Sequence, residues 1–236
     1  PYLLEGKFPC EQCESRLVRR LVSPGDTTID IGANVGWYSS LLASEVGTEG
    51  QVHAVEPNKE AARLVSALGR RFPQLRAHSL ALGADNGRRS FHIPDNWISG
   101  SLQPASDGTE TQETLVLSLD DFLQRLEVGR VDFIKLDAEG GEMDVLQGAE
   151  RTLRRADAPI WMLEFSTKEA ARFGHHPAEL LSVFERSENP PYRAYVIVRD
   201  GQKLKPMKIP DSDEFWFNAL LVPENRSDRL PQQWLA

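Results

Sequence analysis

The chain has 236 residues, 40% hydrophobic and 26% charged, with a formal net charge of −8 at pH 7. That is enough for a sizeable core without disulfide or metal staples, and no run approaches the roughly 18 apolar residues of a membrane span. The basic residues are scattered in pairs such as Arg19-Arg20, Arg70-Arg71 and Arg154-Arg155, which speaks against the local positive excess of a nucleic-acid face.

Cys10 and Cys13 form a lone CxxC. No second pair or HxxxH completes the four ligands of a structural zinc site, so they read as two thiols near the start of the chain. A helix is expected over Glu14–Val22, closed by the turn Ser23-Pro24-Gly25-Asp26. Thr27–Ile31 then reads as a strand, Val35–Val46 as a helix, Gln51–Val55 as a strand, Asn58–Phe72 as a helix capped by Asn58, and Leu75–Ser79 as a strand. This βαβαβ succession with short connections predicts a parallel sheet covered by helices on both faces.

The middle of the chain differs in texture. After the turn residues GADNGRR, Arg88–Ile93 reads as a short strand. Residues 94–113, rich in Pro, Gly, Ser, Asp and Thr around Trp97-Ile98, form a candidate lid or acceptor loop. Alternation resumes with a strand at Thr114–Leu117, a helix at Leu119–Leu126 capped by Ser118, a strand at Asp132–Leu136 and a helix over Gly141–Leu153. A buried strand at Pro159–Phe165 and a helix at Pro177–Glu185 follow. Tyr192–Val198 and Glu214–Val222 are two strands with no helix between them, so they should pair as an antiparallel hairpin. One domain over 1–236 is expected, with 1–26 as a helical lead-in. The given sequence opens on no basic-then-apolar leader pattern, and the expected location is the cytoplasm.

The first βα turn, Asp30-Ile31-Gly32-Ala33-Asn34-Val35-Gly36, lies at the carboxyl edge of the sheet, where open α/β folds bind ligands. Asn34 stands where the dinucleotide fingerprint has its second glycine, and Asp30 would repel a pyrophosphate. A ligand with an ammonium and a sulfonium would instead be attracted there. Glu56, ending the next strand, is an acceptor-only group suited to the two hydroxyls of a ribose. Either acid alone could be a helix-terminus carboxylate; together with the glycine turn they point to a cationic, ribose-bearing cofactor.

The segments IDIGANVGWYS, AVEPN, ALGADNG, Ser101-Leu102, LSLDDFL, FIKLDAEGGEMDVLQGAERTL, MLEF and FNALLVP occur in an order that resembles the FkbM-type family of class I S-adenosylmethionine-dependent methyltransferases, from about Ser15 to Pro223. The resemblance implies an α/β, Rossmann-like class I fold whose seven-stranded, mostly parallel sheet has order 3-2-1-4-5-7-6 with strand 7 antiparallel. It implies S-adenosyl-L-methionine as cofactor and S-adenosylhomocysteine as product. By position, Asp30, Gly32, Asn34 and Gly36 would surround the methionine part and Glu56 the ribose. Asn58 would lie beside ribose and adenine, Ala81 and Leu82 would wall the adenine, and Asp137 would face the methionine ammonium or the acceptor.

Methyl transfer is mainly a matter of positioning, but a hydroxyl acceptor must also lose its proton. Asp137 and Glu139 are the leading acid-base candidates, with Lys135 on the same strand face; Glu142 reads as a first-turn helix acid. Glu164 could meet them from the fifth strand. His175 is a further acceptor-side candidate in a loop beside His176, whereas His53, His78 and His92 read as structural. Oxygen ligands are compatible with magnesium or calcium, but nothing requires a metal. The expected activity is O-methylation of a small molecule or sugar of secondary-metabolite type. The alternatives are an amine acceptor, an NAD-linked oxidoreductase, and a protein that binds cofactor without turnover.

Overall fold

The computed structural model describes residues 9–94, 100–104, 110–198 and 203–235. It opens with α1 (Pro9–Leu21) and alternates β1 (Thr27–Ile31), α2 (Trp37–Val46), β2 (Gln51–Val55), α3 (Lys59–Leu68) and β3 (Leu75–His78). The helix α2 starts later than its apolar pattern suggests because Gly32, Asn34 and Gly36 all take positive φ, a conformation no helix tolerates. The start of α3 is set by Asn58, whose side chain accepts from the backbone N–H groups of Glu60 and Ala61 at 3.0 and 3.3 Å, satisfying donors that a helix start leaves open.

A small second sheet follows, made of β4 (Ala81–Leu82), β5 (Gly87–Ile93) and β6 (Glu110–Leu117) in the order β4-β6-β5. Because β5 and β6 pair antiparallel from Gly87–Val116 to Ile93–Glu110, the end of the candidate lid, residues 110–113, is strand; residues 95–99 and 105–109 of it, Trp97 and Ile98 among them, lie outside the described residues. Ser101 bridges back to His92.

The chain then returns to the main sheet through α4 (Leu119–Arg125), β7 (Phe133–Leu136), α5 (Glu142–Gln147), α6 (Glu150–Leu153) and β8 (Ile160–Ser166). The single helix expected over Gly141–Leu153 is broken in two at Gly148, where an added Cβ would stand 2.1 Å from the Gly83 carbonyl oxygen. Only a glycine allows the two backbones so near. The stretch after β8, expected to be a loop, contains α7 (Thr167–Arg172), whose start is capped by Ser166. Then come α8 (Glu179–Phe184), β9 (Tyr192–Val198), β10 (Lys203–Pro206), β11 (Trp216–Pro223) and 3₁₀ turns at Glu224–Arg229 and Gln232–Trp234.

The main sheet has the order β3-β2-β1-β7-β8-β11-β9-β10. Its first five strands are mutually parallel, and β11 runs antiparallel to both β8 and β9. Among the described residues the main sheet has eight strands where seven are expected, the additional one being β10, which pairs antiparallel with the outer edge of β9. Leu204 is the one apolar residue of β10 and is fully buried; a single apolar position carries no period, so the strand is invisible to pattern reading.

Alternation along the strands divides the core between two faces. Ile29, Ile31, Ile134 and Leu136 pack with α4, α5 and α8, while Phe133, Met162 and Leu220 pack with α1 and α2. Asp30 and Lys135 are in register on neighbouring strands and therefore project together into the second face. The helix α1 closes that face: Glu14 accepts hydrogen bonds from Tyr38 Oη at 2.6 Å and Asn218 Nδ2 at 3.0 Å. At the opposite edge of the sheet, Arg226 and Arg229 tie the C-terminal turns to Asp132 and Asp26.

Candidate active site

A cavity of about 570 Å³ opens at the carboxyl ends of β1, β2 and β7, within the roughly 300–1,000 Å³ of small-molecule sites. Its floor is the first βα turn. Gly32 sits at φ 78°, and a Cβ there would lie 1.7 Å from the Asp137 carbonyl oxygen, so the glycine is required by the contact between two strand ends. Gly36, also among the expected cofactor residues, is not in the lining; it packs on Leu68 and Val65 at the start of α2. Sequence reading attributes both glycines to ligand approach, but the crowding comes from the protein's own atoms.

Glu56 organises the wall at the ends of β1 and β2. One carboxylate oxygen accepts the Asn34 N–H and the other the Asn58 N–H, each at 2.8 Å, so the glycine turn and the β2–α3 loop are stapled to one side chain. Burial raises its pKa to about 7 against the pull of those two bonds. Asn34 and Asn58 flank it, and Ala61, Ala81, Leu82 and Phe91 provide an apolar wall. Deeper in, Asp30 is 1% exposed and accepts the Ser39 hydroxyl at 2.5 Å. Burial is the largest influence on it and lifts its pKa to about 6.

The β7–α5 turn forms the other wall. Lys135 donates to Asp137 Oδ2 at 2.9 Å. Glu139 adopts φ 51°, its backbone carbonyl accepting from Arg172 at 3.1 Å and from the Ser101 hydroxyl at 3.2 Å. Its carboxylate lies 3.6 Å from the same guanidinium. Burial, with Asp137 next, pushes the Glu139 carboxyl up to about 8. Gly140 follows at φ 100°, where a Cβ would meet the Glu169 carbonyl oxygen at 2.4 Å. Glu142 turns back on this loop and accepts from the N–H groups of Ala138 and Gly140, as a first-turn helix acid does.

Glu164 approaches Asp137 and Glu142, the three offering carboxylate oxygens within 4.8 Å of one another, but it is not in the cavity lining. Each carboxylate already takes a donor from the chain: Lys135 for Asp137, backbone N–H groups for Glu142 and the Trp216 indole for Glu164. Burial and the Asp137 charge hold the Glu164 pKa well above the usual carboxylate range. His175, expected as an acceptor-side candidate, lies behind the β7–α5 turn. Its Nε2 faces the Gly140 carbonyl at 3.2 Å and so acts as donor, bracing the turn from behind, and the residue does not line the cavity. His176 accepts from the Ala178 N–H.

Tyr38, Phe91, Leu102 and Phe173 also line the cavity; sequence reading gives none of them a site role, although Leu102 lies in the expected lid or acceptor loop. Phe91 comes from β5 and Leu102 from the connection between β5 and β6; Phe173 is the residue that ends the unexpected helix α7.

The family model described as "Methyltransferase FkbM domain" matches residues 30–196. Among curated proteins, the chain is 26% identical to the hexuronic acid methyltransferase AglP of Haloferax volcanii, with 64% of this chain and 61% of that one covered. It is 29% identical to the 2-O-methyltransferase NoeI of Sinorhizobium fredii, with 59% and 64% covered. The chain thus spans less than two thirds of the length of either relative. Among solved structures, a SAM-dependent methyltransferase from Aquifex aeolicus superposes with a TM-score of 0.51 at 14% identity, covering 93% of this chain and 94% of that one. An rRNA methylase from Streptococcus thermophilus gives 0.51 at 10% identity, covering 91% and 96%; at these identities the likeness is one of fold. With a match that begins at Asp30 and carries through β7 and β8 into β9, the chain belongs to the FkbM methyltransferase domain family.

Proposed function

We propose that the protein is an S-adenosylmethionine-dependent methyltransferase acting on a hydroxyl of a saccharide or a similar small molecule. The observation that carries this reading is the convergence of Asp30, Glu56, Asp137 and Glu139 on one cavity with an apolar wall at its ribose end. A donor with an ammonium, a sulfonium, a ribose and an adenine matches that distribution of charge and surface, whereas a pyrophosphate would meet four carboxylates. The family membership supports the same chemistry. The two curated relatives, one named for a hexuronic acid and one for a 2-O-position, support a sugar oxygen over an amine.

The residues fit the cofactor. Glu56, pre-positioned by the Asn34 and Asn58 N–H groups, retains lone pairs for the ribose hydroxyls. Ala81 and Leu82 flank the adenine, and Asp30 and Asp137 face the ammonium end. When bound, the cofactor supplies a methyl carbon activated by its sulfonium. The chain's contribution is to hold the acceptor oxygen in line and to take its proton. Glu139 is the base in this reading: it lines the cavity, its backbone is held by Arg172 and Ser101, and its raised pKa lies near working pH, where a general base is most effective. Asp137, neutralised in part by Lys135, orients rather than accepts. His175 acts on the reaction only through the Gly140 turn it braces.

Calorimetric titration with S-adenosylhomocysteine, with NAD as control, tests this assignment. Micromolar binding of the first and none of the second is expected; binding of NAD alone would overturn it. Methyl transfer to a panel of uronic acids and neutral sugars then tests the acceptor class, and transfer only to amines would remove the hydroxyl assignment.

A further inference from the structure

Among the described residues that line the cavity, four carry carboxylates and Lys135 alone carries a positive charge. This lysine is 2% exposed, an expensive place for an ammonium, and lies in register beside Asp30 on the neighbouring strand. Like Asp30, it stands one residue before the end of its strand, below the rim of the cavity. Its Nζ hydrogen-bonds to Asp137 at 2.9 Å and lies 5.0 Å from the centroid of the Tyr38 ring, a cation–π contact. Burial alone would lower its pKa, but Asp137, with Glu164 and Asp30 behind it, more than offsets this and holds the group charged. An ammonium has three donors, and Asp137 is its one hydrogen-bond acceptor among the described residues. Donors are left over on a residue that lines the cavity.

The proposed methyl donor has a feature that the four acids cannot accommodate. Its methionine end bears a carboxylate as well as an ammonium, and a carboxylate brought next to Asp30 and Asp137 without a counter-charge would be repelled. Building on the S-adenosylmethionine reading, we propose that Lys135 is the counter-ion of the cofactor's methionine carboxylate. The amino-acid end is then held by alternating charges: ligand carboxylate, Lys135, Asp137, ligand ammonium. This assigns Lys135 a binding function rather than the proton transfer that its closeness to Asp137 first suggests. It also explains why a strand otherwise made of Phe133, Ile134 and Leu136 carries a buried cation.

The alternative is that Lys135 only neutralises neighbouring acids. The two are separated by titrating wild type and Lys135→Met calorimetrically with S-adenosylhomocysteine and with its decarboxylated analogue, which keeps the ammonium, thioether, ribose and adenine. Wild type is expected to prefer the carboxylate-bearing ligand by at least about tenfold, the worth of one charge-assisted hydrogen bond. In Lys135→Met that preference should collapse to within about twofold. Equal affinity of wild type for the two ligands overturns the proposal, as does a Met variant that weakens both ligands by the same factor. Circular dichroism and thermal melting check the variant's fold. Should Lys135→Met not fold, Lys135→Arg, which keeps the charge but displaces it, must change the preference at least about threefold, and an unchanged preference overturns the assignment. Wild type that binds neither ligand overturns the cofactor reading itself, a different result from wild type that binds both equally.

Discussion

The two walls of the cavity hold their carboxylates in different ways. On the ribose side, Glu56 is surrounded by backbone: each oxygen takes an N–H from a turn next to its own strand. On the wall formed by the β7–α5 turn, Asp137 and Glu139 crowd with Glu142 and Glu164, which do not line the cavity, and relief comes from side chains distant in sequence, Arg172 and Trp216, together with Lys135. The first arrangement is a pre-formed socket. The second is a cluster of like charges in which several carboxyls are raised, the condition under which a carboxylate can exchange a proton near neutral pH.

If that contrast is correct, substitutions on the two walls should separate binding from turnover. The largest effect is expected from Glu139→Gln, which should lower the rate of methyl transfer by about 10²–10⁴-fold while leaving S-adenosylhomocysteine affinity nearly unchanged, as read by single-turnover kinetics beside calorimetry. Next comes Glu56→Ala, which should weaken S-adenosylhomocysteine at least about a hundredfold, since it removes the ribose acceptors and frees both turns. A Glu56→Ala protein that still binds with wild-type affinity would move the ribose site elsewhere.

The pH dependence sharpens the comparison further. Glu139 serves as a base only when ionised, so kcat/KM should rise with pH until it levels off above about 8. Glu56 accepts hydroxyl protons best when ionised, so cofactor affinity should rise through about 7. For stability the same shifts act the other way. Asp30, Glu56, Glu139 and Glu142 have folded-state pKa values above their ordinary ones. Their contribution is therefore complete at low pH and is lost as pH rises through about 6 to 8. The ligand-free protein should melt lower at pH 8.5 than at about pH 6, and S-adenosylhomocysteine should narrow the gap. His53, paired with His78 at 3.1 Å and buried, opposes this at the acid end. Its pKa is lowered by burial to about 4, so the stability it contributes is lost as pH falls from 6.5 through that value.

The smallest effect is expected at His175. A brace rather than a base, it should tolerate replacement by Gln with turnover within about threefold of wild type, where loss of a general base would cost 10² or more. A hundredfold loss with an unchanged melting temperature would return His175 to the chemistry.

What the sequence determines by itself is local. The β-branched strands, the left-handed turn at Gly32 to Gly36, the Asn58 cap and the acids at the ends of β1, β2 and β7 all follow from short-range periodicity and backbone sterics. The placement of Asp30, Gly32, Asn34 and Glu56 around one cavity follows from them once the strands lie parallel, whereas Ala81 and Leu82 are expected there only from the family resemblance. Only the tertiary structure decides what depends on distant partners. The edge strand β10 exists because β9 offers an open ladder, not because KLKP favours extension. The helix break at Gly148 answers to Gly83. Glu139 is held by Arg172 and Ser101, and His175 turns to a carbonyl that no nearby sequence announces. Lys135 is written plainly in FIKLD, yet its charge acquires meaning only where β1 and β7 lie side by side and Asp30, Asp137 and Tyr38 surround it, because a buried charge is defined by its neighbours in space.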